Sequence, residues 1–205
     1  MHNAIQFYFD FSSPYSYIAS EWIDALAARH GRPVRWRAIL LGATFATTGL
    51  RPPVEFPLKR EYFMRDFLRS AHFEGLPYTQ PPRFPIATQN AARVFWWLDA
   101  QDPARAVAWA HAALRAYFAR GVALDDPAAL RALTAEAGLD ADAAEAAWSD
   151  SACKLRLKAA NEAAIAAGVF GAPYFVIDGE PFWGNDRKPQ IEQFLAQGRY
   201  EETRQ

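Results

Sequence analysis

The chain opens with apolar and polar residues in strict alternation. Apolar residues occupy every second position from Ile5 to Phe11, with Gln6, Tyr8 and Asp10 between them. A period of two is typical of a strand with one buried and one polar face. We therefore predict the first strand over Ile5–Phe11.

A helix and a second strand are predicted next. Ser13 followed by Pro14 is typical of a helix start, with a capping serine and proline at the first helical position. Apolar residues continue at helical spacing to Gly31, and residues Val34 to Ala38 alternate again. Strand, helix and strand in close succession predict a right-handed βαβ unit with two parallel strands.

The middle of the chain has a different pattern. No alternating segment occurs between residues 42 and 151, and apolar residues recur at helical spacing over 58–73 and 88–100. Asp102-Pro103 and Asp126-Pro127 resemble further helix starts. The loop between the first two helices carries four prolines, which exclude helix and central strand and suggest a cover over another part of the protein. This block is predicted to be all helical.

Strands return near the end of the chain. After a helix predicted over 151–167, the apolar segments 174–177 and 180–183 are separated by Asp178-Gly179, a strong hairpin signal. A last helix is predicted over 187–196. The expected fold is an α/β domain built from residues 1–42 and 152–205, with an all-helical domain, residues 43–151, inserted in it.

Composition narrows the function. The 205 residues are 51% hydrophobic, and 22 Lys and Arg against 23 Asp and Glu give a net charge of −1. This balance provides no basic field for nucleic acid. The absence of a long apolar run or signal segment predicts a cytoplasmic protein without a membrane partner. Cys153, the only cysteine, has no neighbours at zinc-ligand spacing, so we expect an inert thiol and no metal.

The joint between the first strand and the first helix is the first candidate site. Residues 13–16 read Ser-Pro-Tyr-Ser, and the unpaired N–H groups of a helix start stabilise an anion such as a thiolate. Ser13 could also be only a helix cap. No histidine is tied to Ser13 by a recognisable motif, so it has no evident base to make it a nucleophile. We interpret it as a hydrogen-bond donor to the sulfur of a ligand.

Two further motifs lie in the last third of the chain. In Gly-Ala-Pro-Tyr at 171–174, proline heads a strand, which implies an open edge, a turn or a cis bond shaping a ligand platform. In Trp-Gly-Asn-Asp-Arg at 183–187, either Asn185 or Asp186 is expected to cap the last helix. The other could hold the ammonium group of a ligand.

Together these motifs carry a family resemblance. The segments FYFDFSSPYSY, VFGAPYF and FWGNDR, with Lys59, Tyr62 and Asp66 between them, resemble 2-hydroxychromene-2-carboxylate isomerases. These are relatives of kappa-class glutathione transferases and, more distantly, of the disulfide oxidoreductase DsbA. The resemblance spans essentially the whole chain. It implies a thioredoxin-like fold with a helical insertion, a glutathione cofactor and a homodimer.

The resemblance also implies roles for particular residues. Redox relatives carry Cys-x-x-Cys where this chain has Ser13 and Ser16, which excludes dithiol chemistry at that site. Ser13 would be the catalytic serine that positions the glutathione thiolate. The glutathione-binding residues would be Ala172 before a cis Pro173, Asn185 and Asp186 at the γ-glutamyl end, and Lys59, although a helix-face lysine can also be merely solvated.

The expected substrate is a small aromatic molecule. Tyr15, Trp183 and Trp96 would suit a flat ring, and Arg83 on the proline-rich loop could meet a carboxylate, although such rings often fill cores and such arginines often meet only water. Leu50 stands where kappa enzymes carry an asparagine, which leaves the substrate open. In family chemistry the thiolate adds to the chromene, the ring opens, and elimination gives trans-o-hydroxybenzylidenepyruvate.

Two other functions are compatible with these motifs. A kappa-like glutathione transferase would use the same thiolate seat and release a conjugate. A thioredoxin-like binding module without cysteines would keep only a peptide groove, but Lys59 with Asn185 and Asp186 argues against it, because a peptide groove needs no groups for a free amino-acid end.

Overall fold

The computed structural model describes residues 3–198 and 200. Two parallel strands, β1 (Ile5–Phe9) and β2 (Val34–Ala38), flank helix α1 (Pro14–Arg29). The predicted βαβ unit is thus confirmed. Strand β1 is two residues shorter than predicted, because the chain turns at Asp10, whose carbonyl accepts the Ser13 N–H and whose carboxylate accepts the Ser12 N–H.

The sheet joins both ends of the chain. Strands β3 (Tyr174–Ile177) and β4 (Glu180–Trp183) form the predicted hairpin, and β3 pairs antiparallel with β1. Within the described residues the strand order is β2-β1-β3-β4. Phe7 lies opposite Phe175 on the central pair of strands, with their ring centroids 5.2 Å apart. The site motifs at the ends of β1, β3 and β4 are therefore carried by one sheet.

The segment between β2 and β3 is helical, as predicted. Its helices are α2 (Leu41–Thr48), α3 (Pro57–Phe73), α4 (Gln89–Asp99), α5 (Pro103–Arg120), α6 (Pro127–Glu136), α7 (Ala141–Ser149) and α8 (Ser151–Ala166). A 3₁₀ turn over Pro53–Glu55 precedes α3. The pattern did not single out α2. One buried apolar core runs from the sheet into α4 and α5. The predicted boundary between two domains stays a prediction.

The helix starts follow the predicted chemistry. The carboxylates of Asp102 and Asp126 each accept two backbone N–H groups at the starts of α5 and α6. The last helix, α9, spans Lys188–Gln197 and follows a 3₁₀ turn over Asn185–Arg187. No helix in the described part of the chain is long and apolar enough to cross a membrane.

Candidate active site

Ser13 lies at the start of α1 and makes two hydrogen bonds through its side chain. Its Oγ accepts the N–H of Ser16 at 3.1 Å and donates to the carbonyl oxygen of Ala172 at 3.0 Å. The first contact is the predicted helix cap. A hydroxyl has a single hydrogen, so Ser13 can donate to a ligand only by turning it away from Ala172. The side chain is buried, at 4% exposure.

The loop of Ala172 packs closely against the end of β4. The Ala172–Pro173 peptide bond is cis, as the resemblance implied. The carbonyl of Pro173 accepts the N–H of Gly184 at 3.0 Å. A Cβ at Gly171 would lie 2.4 Å from Nε1 of Trp183, so a side chain there would have to displace the indole. The second and third motifs therefore form one unit beside Ser13.

The side chains of Asn185 and Asp186 lie in the Asn185–Arg187 turn and do not cap helix α9. Helix α9 has Arg187 at its cap position and no side-chain cap, so the prediction that Asn185 or Asp186 caps it is wrong. Asn185 and Asp186 instead lie in a 3₁₀ turn that begins after Gly184, whose backbone φ of +109° redirects the chain. The Asp186 carboxylate is 65% exposed and pairs with Arg187 at 2.5 Å. It can therefore meet a ligand cation.

Tyr15 connects the Ser13 turn with helix α3. Its hydroxyl donates to Oδ2 of Asp66 at 2.5 Å, and its ring contacts Phe67 edge-on at 5.1 Å. Burial, the contact with Asp66 and the nearby charge of Asp186 all raise the pKa of Tyr15 above its ordinary value. Tyr15 is thus a fixed, protonated wall of the site, and Asp186 lies within electrostatic range of it.

Lys59 stands on the same face of α3 as Asp66. Seven residues are two helical turns, or about 10 Å, so Lys59 lies along the helix from the Tyr15 contact. Its Nζ lies 5.2 Å from the centroid of the Phe56 ring, and Cζ of Arg51 lies 5.0 Å from the same centroid. Within the described part of the protein neither cation has an ion-pair partner. Both are available to an anionic group.

An exposed aromatic pair flanks the cis-proline loop. Trp183 is 55% exposed, and its ring meets Phe170 edge-on with centroids 4.9 Å apart. Phe170 also contacts Tyr174 at 5.4 Å. Sequence reasoning did not select Phe170, although it precedes Gly171 in the second motif. Large rings left in solvent beside polar groups are typical of a ligand surface.

Trp96 and Arg83, which were predicted to contact substrate, make contacts within the protein. Trp96 is a core residue: it is buried, and its Nε1 donates to the carbonyl of Ala38 at 2.9 Å. The guanidinium of Arg83 pairs with Asp125 at 2.9 Å, and its backbone carbonyl accepts the Tyr117 hydroxyl. This contact holds the proline-rich loop against α5. A contact between Arg83 and substrate stays a prediction.

The structure also describes the cysteine and the potential metal ligands. Burial and the neighbouring Asp150 raise the pKa of the Cys153 thiol, which disfavours its thiolate form, and its inertness stays a prediction. Among residues 3–198 and 200 there is no group of three or more His, Cys, Asp or Glu side chains able to hold a metal ion.

The sheet, the helix start and the cis-proline loop define a DsbA-like thioredoxin fold. The family model described as "DSBA-like thioredoxin domain" matches residues 4–196. The 2-hydroxychromene-2-carboxylate isomerase of Sphingobium xenophagum is 33% identical over 95% of this chain and 99% of its own length. The chain therefore belongs to the 2-hydroxychromene-2-carboxylate isomerase family of DsbA-like proteins, and the expected fold and family are confirmed.

Two further comparisons agree with this assignment. A solved 2-hydroxychromene-2-carboxylate isomerase superposes with a TM-score of 0.85 at 29% identity, covering 94% of both chains. Glutathione S-transferase kappa 1 of Caenorhabditis elegans is 38% identical over 48% of this chain and 46% of its own. The homologues support an enzyme of this isomerase family.

Proposed function

We propose that this protein is a glutathione-dependent isomerase that interconverts 2-hydroxychromene-2-carboxylate and trans-o-hydroxybenzylidenepyruvate or a related aromatic intermediate. The observation that carries the proposal is the placement of the Ser13 hydroxyl. It stands at a helix N-terminus, beside a cis-proline loop, where the positive end of the helix favours a thiolate. With Ser13 and Ser16 in place of cysteines, the site can stabilise the thiol of another molecule.

The donor set fits the chemical groups of glutathione. Asp186 offers an exposed carboxylate to an ammonium group, and Asn185 beside it offers an amide. Lys59 offers a cation without an ion-pair partner in the described chain, suited to a carboxylate. Ala172 and Pro173 would contact the cysteinyl part through the backbone. When bound, glutathione supplies a nucleophilic sulfur that adds to the ring-closed substrate and is eliminated after bond rotation.

The residues of this chain have separate parts in the proposed reaction. Ser13 would turn its hydroxyl hydrogen from Ala172 to the sulfur and hold it as an anion. Tyr15 and Trp183 would bound the flat substrate, and Arg83 would meet its carboxylate. Once binding has turned this hydrogen to the sulfur, the donor needs no further reorganisation during the reaction, which favours catalysis.

A direct experiment separates the candidate functions. Reduced glutathione is titrated into the protein by calorimetry, then the chromene is added and its absorbance followed. We expect binding and turnover, with turnover lost in Ser13→Ala and kept in Ser20→Ala, a buried serine of the same helix bonded to Tyr17. No glutathione binding at millimolar concentration would leave the non-redox binding module as the better function.

A kappa-like glutathione transferase is the second candidate. It is supported by the similarity to the kappa 1 enzyme, whereas Leu50, which is 51% exposed where kappa enzymes have asparagine, is a departure from that class. Chromatography of the product distinguishes the two activities. An isomerase returns free glutathione, whereas a transferase consumes it into a stable conjugate.

The protein is further proposed to be a cytoplasmic homodimer. Helix α3 supports a self-association surface, since Leu58, Tyr62 and Phe73 are 97%, 58% and 86% exposed on it. Light scattering on the purified protein should give twice the chain mass. Leu58→Glu should then shift the mass towards the monomer, and a monomeric wild type would contradict the dimer.

A further inference from the structure

Asp10 places a carboxylate in the interior next to the Ser13 turn. The residue is 2% exposed. Its Oδ1 accepts the Ser12 N–H at 2.7 Å and the Thr88 hydroxyl at 2.9 Å, and its Oδ2 accepts the Leu41 N–H at 2.6 Å. The three donors come from the Ser13 turn, the start of α2 and the start of α4. One carboxylate thus joins three segments.

The backbone of Asp10 contacts the same turn directly. Its carbonyl accepts the N–H of Ser13 at 3.0 Å, and its N–H donates to Oγ of Ser16 at 3.4 Å. Ser16 in turn donates its N–H to the Ser13 hydroxyl. The position of Ser13 Oγ is therefore linked to Asp10 through two hydrogen-bonded routes.

Keeping this carboxylate buried is costly. Burial raises the pKa of Asp10, and the hydrogen bonds from Leu41, Ser12 and Thr88 offset part of that rise. No lysine, arginine or histidine in the described chain forms an ion pair with it. Burying a carboxylate without a paired cation is costly, so its hydrogen bonds to three separate segments point to a role in positioning them.

We infer that Asp10 is a positioning residue that, together with Thr88, fixes the Ser13 hydroxyl for its ligand. This inference rests on the proposed function for the role of Ser13. Asp10 acts through Ser13, because its own carboxylate is buried and accepts its hydrogen bonds from protein groups. Thr88 is the point at which helix α4 enters this arrangement, which explains why its hydroxyl does not cap α4.

The first test needs no ligand. Thr88→Val removes one donor to Asp10 while keeping the side-chain shape, and Thr88→Ser keeps the hydroxyl. We expect the Ser16 amide, which reports the Ser13 Oγ contact, to exchange its hydrogen about tenfold faster in Thr88→Val and at the wild-type rate in Thr88→Ser. The Leu26 amide near the other end of α1 is the control. Equal acceleration of both amides, or no change at Ser16, overturns the inference.

A second readout uses bound glutathione. The pKa of its thiol, followed by ultraviolet absorbance of the thiolate, should rise by half a unit or more in Thr88→Val, about a threefold change in ionisation. In the Ser13→Ala background the same substitution should have no further effect, because the two residues act through one contact. An unchanged or lowered thiol pKa in Thr88→Val, or an equal shift in both backgrounds, overturns the inference. A wild type without glutathione binding instead refutes the proposed function and leaves the amide test decisive.

Discussion

The hydroxyl of Ser13 and the carbonyl of Ala172, 159 positions apart in sequence, are joined by a 3.0 Å hydrogen bond. The bond connects the start of α1 to the residue preceding the cis proline. It also occupies the only hydrogen that the Ser13 side chain can donate. A ligand that accepts this hydrogen, as proposed above, would therefore have to displace an internal contact.

Ser13→Ala removes the cap of α1 and the proposed donor to sulfur at once. We expect the free energy of unfolding to fall by about 1 kcal/mol, the usual value of a lost cap. The turnover number should fall about 100-fold or more, as for other lost preorganised donors. Urea unfolding and substrate kinetics measure the two effects. Wild-type turnover in Ser13→Ala would show that Ser13 is not the catalytic residue.

Ser13→Cys should convert the site into a reactive thiol. The helix N-terminus lowers the pKa of a cysteine placed there, against the effect of burial at position 13. Cys153 also lies in the first turn of a helix, but burial and the carboxylate of Asp150 raise the pKa of its thiol. We expect iodoacetamide to label position 13 well before Cys153 near neutral pH. Mass spectrometry of the labelled peptides gives both rates. Faster labelling of Cys153 would argue against an anion-stabilising site.

Asp186→Asn should weaken glutathione binding. A hydrogen bond to a charged group is worth about 1.5 to 3 kcal/mol, so the dissociation constant should rise roughly 10- to 100-fold. Asp142→Asn is the matched control, because Asp142 is also exposed and paired with an arginine, Arg131. Calorimetry should show wild-type binding for the control. Equal affinities of the wild type and both variants for glutathione would show that Asp186 does not bind the γ-glutamyl end.

Gly171→Ala should move Trp183 while leaving the fold intact. The new methyl group would meet the indole 2.4 Å away, and the exposed ring can swing aside. We expect a changed tryptophan fluorescence and a raised KM for the aromatic substrate. Gly42→Ala is the control, since nothing lies within 4 Å of its added Cβ. An unchanged KM alongside altered fluorescence would exclude Trp183 from substrate binding.

We expect His111 to make the free energy of unfolding depend on pH. Burial alone lowers the pKa of His111, but the facing carboxylates of Asp24 and Glu21, each 3.6 Å away, raise it on balance against the charge of Arg115. A raised folded-state pKa stabilises the protein below the unfolded value, about 6.5, and this gain is lost as pH rises through the folded value.

The corresponding experiment compares His111→Gln with wild type by urea unfolding. The free energy of unfolding lost in the variant should be largest near about pH 5.5 and should shrink towards about pH 9, because the charged imidazole is then deprotonated. A pH-independent difference for His111→Gln would refute the charged imidazole.

Local signals in the sequence predicted most of the fold. The βαβ unit, the Asp178-Gly179 hairpin and the caps at Ser13, Asp102 and Asp126 depend on neighbouring residues and were all confirmed. The contact from Asp10 to Thr88 could not be predicted in this way, because 78 positions separate the two residues and no local pattern records which helix start meets the turn.

The failed cap prediction at Asn185 and Asp186 has a similar cause. The residue types favour capping, but Gly184 turns the backbone so that a 3₁₀ turn precedes α9 and Arg187 takes the cap position. Phe170 was missed because an isolated aromatic residue before a glycine carries no periodic signal. Its partner Trp183 lies at the end of β4, 13 positions further along the chain.

The strand order β2-β1-β3-β4 has a consequence for synthesis of the protein. A nascent chain that has left the ribosome as far as α8 already carries Ser13, Tyr15 and Lys59. It still lacks the central strand partner of β1 and the acceptor at Ala172. The proposed ligand site can therefore assemble only after the final fifth of the chain has begun to emerge, so interrupted translation yields fragments that lack part of it.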